Sequence, residues 1–406
     1  MRFFYKLIIP TVSLMLAAAL TLGAAAEGTV STENTEDLYE PLAPEGAVAA
    51  SAGDITLTSR SAILIEQTGG KILFESNAHE KLKPASVTKI MSLLLIMEAI
   101  DRGDLSLSDR ITASETAASM GGSQIWLRQG EVMTVNDLLK ATVIASANDA
   151  TVALAEAVAG TESTFVSMMN DKAALLGMND THFCNCTGLD AEGHLTSAYD
   201  IAVMSAELLR HELITDYSTV WMDTLRDGKS ELVNTNKLVR FYEGTTGLKT
   251  GTTSGAGYCL SASATRDGLS LIAVIMDAPS SAVRFGEARS LLSYGFANYV
   301  FLNMPIPDSE LYDIPVDKGT AKSVGVCAAG EARVLVPKKD KDEVGLVFER
   351  AERLTAPVEK GAQVGICRVM CNGEELGTVK LCAENGVERM TFGKAFLLLL
   401  RQMAVI

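Results

Sequence analysis

Apolar and polar positions change texture four times along the 406 residues. The first texture is an apolar run over 7–22, preceded by Arg2 and Lys6 and followed by Ala24-Ala25-Ala26. That order is the one of a secretory signal peptide, and the run is shorter than the ~20 residues of a spanning helix. A leader over 1–26, removed after Ala26, is therefore expected, and with it export from the cytoplasm. Residues 27–56 are rich in Glu, Thr, Ala and Pro without periodicity, which predicts a flexible linker.

From residue 57 the pattern tightens. Ser61-Ala-Ile-Leu-Ile-Glu66 and Lys71-Ile-Leu-Phe74 flank Thr68-Gly-Gly70 and predict a β-hairpin. Pro84 punctuates the chain before a helix over 87–100, apolar nearly all round and so expected at the centre of a core. Residues 135–210 read as largely helical, with Thr161 or Thr164 as one start, Gly177 as a stop and Ser197-Ala-Tyr-Asp200 as another entry. Strands over 258–264 and 269–276, joined around Arg266-Asp-Gly268, precede a helix over 284–299. Hairpin, helical insert, antiparallel strands and closing helix make an α+β domain over 57–305. Short Val-rich strands with turns such as Asn372-Gly373 then predict a small all-β domain over 306–389. The last residues, 390–406, carry Phe396-Leu-Leu-Leu-Leu400 with Lys394 and Arg401 on one face. They predict a terminal amphipathic helix, too short to span a bilayer and suited to its headgroup region, with packing on the β-domain as the rival reading.

Composition narrows the partners. Lys plus Arg is 35 against 50 Asp plus Glu, a net charge of −15 that argues against a nucleic-acid partner. Seven cysteines are dispersed, with no CxxC pair or zinc spacing, and read as small buried hydrophobes. His79, His182, His194 and His211 stand apart along the chain and read as surface or structural residues, so neither a metal nor a cofactor is expected.

Chemistry concentrates in three short motifs, in order: Ser86-Val-Thr-Lys89, Ser146-Ala-Asn148 and Lys249-Thr-Gly251. An S-x-x-K arises by chance about once or twice in a chain of this length, so no single motif decides anything. The ordered set does. A serine hydroxyl needs a neighbouring base to act as nucleophile, and Lys89 lies on the same helix face as Ser86. Lysine is a base only when desolvation or a nearby cation lowers its pKa; the apolar helix supplies the first, and Lys249 could supply the second. Ser86 after Pro84 would also serve as a plain helix N-cap, which is compatible with nucleophile duty. Ser146 and Asn148 converge if a loop separates helices over 135–144 and 149–159, where Asn148 or Asp149 could equally be a cap. Lys249 and Thr250 on a strand can face a cleft, with Gly251 leaving room for a substrate backbone.

The chain resembles the low-molecular-mass penicillin-binding D-alanyl-D-alanine carboxypeptidases. The resemblance runs from about residue 57 to the C-terminus. It rests on the three motifs together with Thr187-Gly-Leu-Asp190, Ser197-Ala-Tyr-Asp200, Gly247-Leu-Lys-Thr-Gly251 and Ser254-Gly-Ala-Gly257. It implies a β-lactamase/transpeptidase-like domain that removes the terminal D-alanine from peptidoglycan stem peptides and is acylated by β-lactam antibiotics. It also implies roles: Ser86 as nucleophile, Lys89 as its base, Ser146 as proton relay, Asn148 on the substrate amide, Lys249 and Thr250 on the terminal carboxylate. The Ser86 and Thr252 amides would form the oxyanion hole, and Arg284 would lie near the carboxylate pocket, with Arg289 as its rival. A β-lactamase shares the motifs but needs a Glu-x-x-Leu-Asn segment after the second, and none is present. An idle wall-binding protein would not need intact Ser86 and Lys89, and a zinc peptidase would need clustered ligands.

Overall fold

The computed structural model describes residues 51–403; the leader expected at 1–26 and most of the linker lie outside them. The chain forms two compact units that divide between Tyr294 and Gly295. The sequence pattern drew that line at 305/306. Tyr299–Met304 falls in the second unit because it pairs along its whole length with Ala332–Pro337.

In the first unit five strands form one antiparallel sheet: β1 (Ser61–Glu66), β2 (Ile72–Ser76), β3 (Thr245–Thr253), β4 (Gly257–Arg266) and β5 (Leu269–Ala278). Their spatial order is β2-β1-β5-β4-β3. The turns follow from local chemistry. Glu66 accepts from the Thr68 and Gly69 amides and so ties off the β1–β2 connection. Asp267 and Gly268 both take positive φ between β4 and β5, the conformation a two-residue hairpin needs and Asp-Gly tolerates. The chain leaves the sheet after β2 and returns at β3, the opposite edge, with the helical insert between the two.

The insert holds α1 (Lys89–Asp101), α2 (Val135–Ile144), α3 (Asn148–Ala159), α4 (Glu162–Leu175) and α5 (Ala198–Leu208), and α6 (Ser281–Asn298) follows the sheet. Side-chain caps set their starts: Thr134 accepts from the Asp137 amide, Thr161 from Thr164 and Ser197 from Asp200. Thr161 is thus the start that the sequence left open between two threonines. Gly177, at φ +71°, stops α4. Helix α1 is buried all round, as its uniform apolarity requires. It begins at Lys89 rather than 87, because Ala85–Thr88 winds more tightly as a 3₁₀ turn.

The second unit has its own core of Val, Ile and Leu side chains, among them Ile314, Val336 and Leu381. Its strands are β6 (Tyr299–Met304), β7 (Ile314–Asp317), β8 (Ser323–Val324), β9 (Val326–Ala328), β10 (Ala332–Pro337), β11 (Val344–Arg350), β12 (Leu354–Thr355), β13 (Gln363–Cys371) and β14 (Glu374–Ala383). The largest sheet runs β9-β14-β13-β11, and Asn372-Gly373 makes the β13–β14 turn with both residues at positive φ. Helix α7 (Phe392–Met403) ends the described chain. Its apolar side chains face solvent: Phe392 is 89 % exposed, Phe396 54 %, Leu399 59 % and Met403 73 %. Packing on the β-domain, the rival reading for this helix, would have covered them.

Candidate active site

The site is assembled at the β3 edge. Ser86 sits in the 3₁₀ turn, partly exposed, between buried Ala85 and Val87. Ala85 is held at φ +49°, a conformation that costs a residue with a Cβ about 1–2 kcal/mol. Two glycines make that turn possible by bringing backbone against it. A Cβ on Gly251 would lie 2.8 Å from the Ser86 amide nitrogen and 2.9 Å from Pro84 O. A Cβ on Gly188 would lie 1.8 Å from Ala85 O. Room for a substrate backbone was the expectation at Gly251; the occupant on its side-chain side is the protein's own turn that carries Ser86.

In a 3₁₀ turn residues three apart eclipse, which sets Lys89 directly over Ser86. Lys89 Nζ lies 3.0 Å from Ser86 Oγ, 2.6 Å from Asn148 Oδ1 and 2.7 Å from Thr187 O. The protonated amine can donate to all three. The neutral amine can donate to Asn148 and Thr187 and turn its lone pair to the serine hydroxyl. Burial first, then the positive charge of Lys249, hold the Lys89 amine well below its ordinary pKa. Cys186 is the other potential nucleophile close to this amine, but burial and the neighbouring Glu162 carboxylate push its thiol well up.

The second motif lies in the loop between α2 and α3. Ser146 is buried at φ +63°, and Asn148 opens α3. Neither Asn148 nor Asp149 caps that helix with a side chain, since Ala147 is the cap residue. Asn148 instead donates Nδ2–H to Gly121 O and its amide to Ser123 O, leaving Oδ1 for Lys89. Asp149 accepts from the Ile125 and Leu127 amides and pins the same stretch of chain.

On β3, Lys249 is 1 % exposed and Thr250 3 %. Lys249 Nζ donates to Thr250 O, and Thr250 Oγ1 donates to Thr235 Oγ1 at 2.6 Å. The Thr235 amide in turn donates to Ile144 O at the end of α2, so the second and third motifs share one support. Thr252 is exposed. Arg284, fully buried on α6, donates Nη1–H to Thr252 Oγ1 at 3.0 Å and to Gly251 O at 3.2 Å. It therefore acts at the surface through exposed Thr252 and not by an exposed face of its own.

The structure brings Ser86, Lys89, Asn148 and Thr187 O into hydrogen-bond reach, with Gly251 against the turn and Arg284 on Thr252. Sequence reasoning gave no part to Gly188 or to Thr235, and Thr187-Gly188 entered only as a point of resemblance. The Asn-Thr-Asn run at 234–236 offered a loop signal but nothing that pointed to Thr250. His194, expected to be a surface or structural residue, is buried: its Nδ1 accepts from the Cys184 amide, and its Nε2 meets Thr88 Oγ1, in the turn between Ser86 and Lys89. Burial lowers its pKa to about 4, which keeps it neutral.

The family described as Peptidase_S11, D-alanyl-D-alanine carboxypeptidase, matches residues 47–280. The chain belongs to the D-alanyl-D-alanine carboxypeptidase family. A second family, the C-terminal domain of penicillin-binding protein 5, matches residues 306–389. Among curated relatives, the D-alanyl-D-alanine carboxypeptidase DacF of Bacillus subtilis is 41 % identical over 338 residues, covering 82 % of this chain and 87 % of that protein. DacC of Escherichia coli is 34 % identical, covering 83 % and 86 %. Among solved structures, penicillin binding protein 5 from Haemophilus influenzae superposes with TM-score 0.72 at 30 % identity, over 82 % of this chain and 99 % of that one. The ampicillin-bound penicillin-binding protein D2 of Listeria monocytogenes matches with TM-score 0.53 at 30 % identity, over 60 % of this carboxypeptidase and 99 % of that chain. A penicillin-interacting serine peptidase acting in the cell wall is the function that these relationships and the α+β architecture establish.

Proposed function

We propose that Ser86 carries the acyl group in this peptidase and that Lys89 is the base that activates it. The observation that carries this reading is the three-way contact of a buried, pKa-lowered Lys89 amine, 3.0 Å from Ser86 Oγ. Neutral Lys89 takes the Ser86 proton as Oγ attacks the carbonyl between the two terminal D-alanines. The oxyanion is met by the Ser86 and Thr252 amides, a fixed pair of donors of the kind that usually contributes most to acyl transfer. Ser146 passes the proton to the departing D-alanine, Asn148 holds the substrate amide, and water then releases the shortened stem peptide. Lys249, the Thr252 hydroxyl and Thr250, its proton turned away from Thr235, meet the terminal carboxylate, and Arg284 orients Thr252 from below while adding its charge. A β-lactam presents a strained amide where the scissile bond would sit, so Ser86 is acylated by it as well.

Selection of a free carboxylate gives the test. A charge-assisted contact in a partly dry cleft is worth roughly 1.5–3 kcal/mol, about ten- to a hundredfold in rate when realised in the transition state. D-Alanine release from bis-acetylated Lys-D-Ala-D-Ala should therefore exceed release of D-alaninamide from the amidated substrate by about that factor in kcat/KM. In Arg284→Ala the two substrates should become more alike. If Arg284→Ala keeps the preference and Arg289→Ala removes it, the assigned arginine is wrong; no release from the acid would overturn the substrate itself.

Export through the 1–26 leader and an association of α7 with the outer face of the cytoplasmic membrane complete the proposal. Among the described residues no helix is long and apolar enough to cross a membrane. The support for association is the exposed apolar row Phe392, Phe396, Leu399 and Met403 along one face, a surface of the kind that seeks an interface. Deleting 390–406 should release the protein from anionic phospholipid vesicles in a flotation assay while leaving D-alanine release unchanged. Equal vesicle binding with and without the segment would refute the anchor.

A further inference from the structure

The second unit holds a pair of thiols in a geometry that the peptidase reaction does not use. Strand β9 is three residues long and lies at the end of its sheet, paired only with β14. In that ladder Val326 faces Ala383, Cys327 faces Cys382 and Ala328 faces Leu381. Side chains alternate between faces along a strand. Val326, Ala383 and Leu381 belong to the core, so Cys327 and Cys382 share the opposite face. Both thiols are free. Cys327 is exposed, Cys382 lies just under the surface at 9 %, and Cys327 Sγ leans across the ladder to 3.6 Å from Cys382 O. No other two cysteines stand opposite each other in a ladder among the described residues.

The backbone spacing suits a covalent link. The Ala329 amide donates to Lys380 O and the Glu384 amide to Gly325 O, which makes 327 and 382 a hydrogen-bonded pair of the antiparallel ladder. Such pairs hold their Cα atoms about 5.5 Å apart, inside the range of about 4.4–6.8 Å in which a disulfide closes without backbone movement.

We propose that Cys327 and Cys382 are a redox modification site, closing to an intramolecular disulfide by exchange with a low-molecular-weight disulfide. Cys327, the exposed thiol, attacks one sulfur of the reagent as its thiolate. A mixed disulfide forms on Cys327, and the first reagent thiolate leaves, taking up the proton that Cys327 lost. Cys382, as thiolate, then attacks Cys327 Sγ; the protein disulfide forms and the second reagent thiolate leaves, protonated in the same way. The protein gives up two hydrogens with two electrons, and the reagent is reduced to two thiols. The product fastens a strand otherwise held on one side, at the sheet edge where local opening is easiest. Because Cys327 faces solvent, reductants reach the bond and the change is reversible.

The test uses the full mature chain with oxidised glutathione as the probe, followed by denaturation, alkylation and peptide mapping. Expected are a mass loss of about 2 Da, a Cys327–Cys382 cross-linked peptide pair that dithiothreitol separates, and amide exchange over 326–328 slowed at least about tenfold in the oxidised form. Cys382→Ala should stop at the glutathione adduct on Cys327, and Cys327→Ser should form neither adduct nor cross-link at this site. Acylation by penicillin should be equal in the reduced and oxidised proteins. Both cysteines remaining alkylatable, a wild-type chain that stops at the mixed disulfide, or a Cys327–Cys327 link between two chains would each overturn the proposal.

Discussion

Arginine in place of Lys89 is expected to leave a folded protein, with its charge kept, that penicillin hardly acylates. In the proposed role the Lys89 amine serves Ser86 only when neutral, and burial together with Lys249 favours the neutral form. A guanidinium does not deprotonate in proteins, so the variant keeps the cation and its donors and loses the lone pair. Loss of a positioned base typically costs about 10²–10⁴ in rate, and the acylation rate of Lys89→Arg should fall by at least the lower figure. The wild-type rate should also rise with pH as Lys89 passes through its lowered pKa, because protonated Lys89 below that point cannot accept the serine proton. The arginine variant should lose that limb of the profile. Stopped-flow acylation by a chromogenic cephalosporin, with a thermal melt to confirm folding, checks both. Wild-type acylation in Lys89→Arg would give the lysine another role.

The second large effect comes from a residue that carries no functional group. Gly188 has φ +89°, and a Cβ there would stand 1.8 Å from Ala85 O and 2.9 Å from the Ser86 nitrogen. Gly188→Ala must therefore move either the 187–190 segment or the nucleophile turn. Movement of the segment takes Thr187 O away from Lys89 Nζ, now at 2.7 Å. Movement of the turn displaces Ser86 Oγ and its amide together. Misplacement of reacting groups by about 1 Å costs on the order of a hundredfold, so acylation by penicillin should drop by at least that much. A left-handed alanine adds about 1–2 kcal/mol of backbone strain, visible as a lower melting temperature. A structurally indifferent Gly188 would give wild-type acylation in the alanine variant.

What the sequence made legible follows the distance over which each contact acts. Ser86 and Lys89 are three residues apart, so local winding alone brings them together, and their proximity was legible even though the turn is 3₁₀ and not α-helical. The α2–α3 loop at 145–147 was legible from the helical patterns on either side of Ser146. Asp267-Gly268 and Asn372-Gly373 were legible because those pairs favour positive φ for intrinsic reasons. Contacts between distant segments left no local mark. Gly188 meets Ala85 across 103 positions and Thr250 meets Thr235 across 15, and neither glycine nor threonine announces its partner. Arg284 stood out by its place in a resembling segment, but its burial behind Thr252 depends on how α6 lies on the sheet. The compact units divide at 294/295, ahead of the 305/306 line in the sequence pattern and of the second family match at 306–389, because Tyr299–Met304 finds its pairing partner some thirty residues later. Dispersed cysteines looked uniformly inert, since only the β9–β14 register sets two of them face to face.

Acylation of Ser86 is read out by intact-mass spectrometry after incubation with benzylpenicillin. The wild-type protein should gain the mass of one penicilloyl group, located by peptide mapping on the segment containing Ser86, and Ser86→Ala should gain none under the same conditions. A penicilloyl adduct that persists in Ser86→Ala, or one that maps to another residue of the wild-type chain, would rule out Ser86 as the nucleophile.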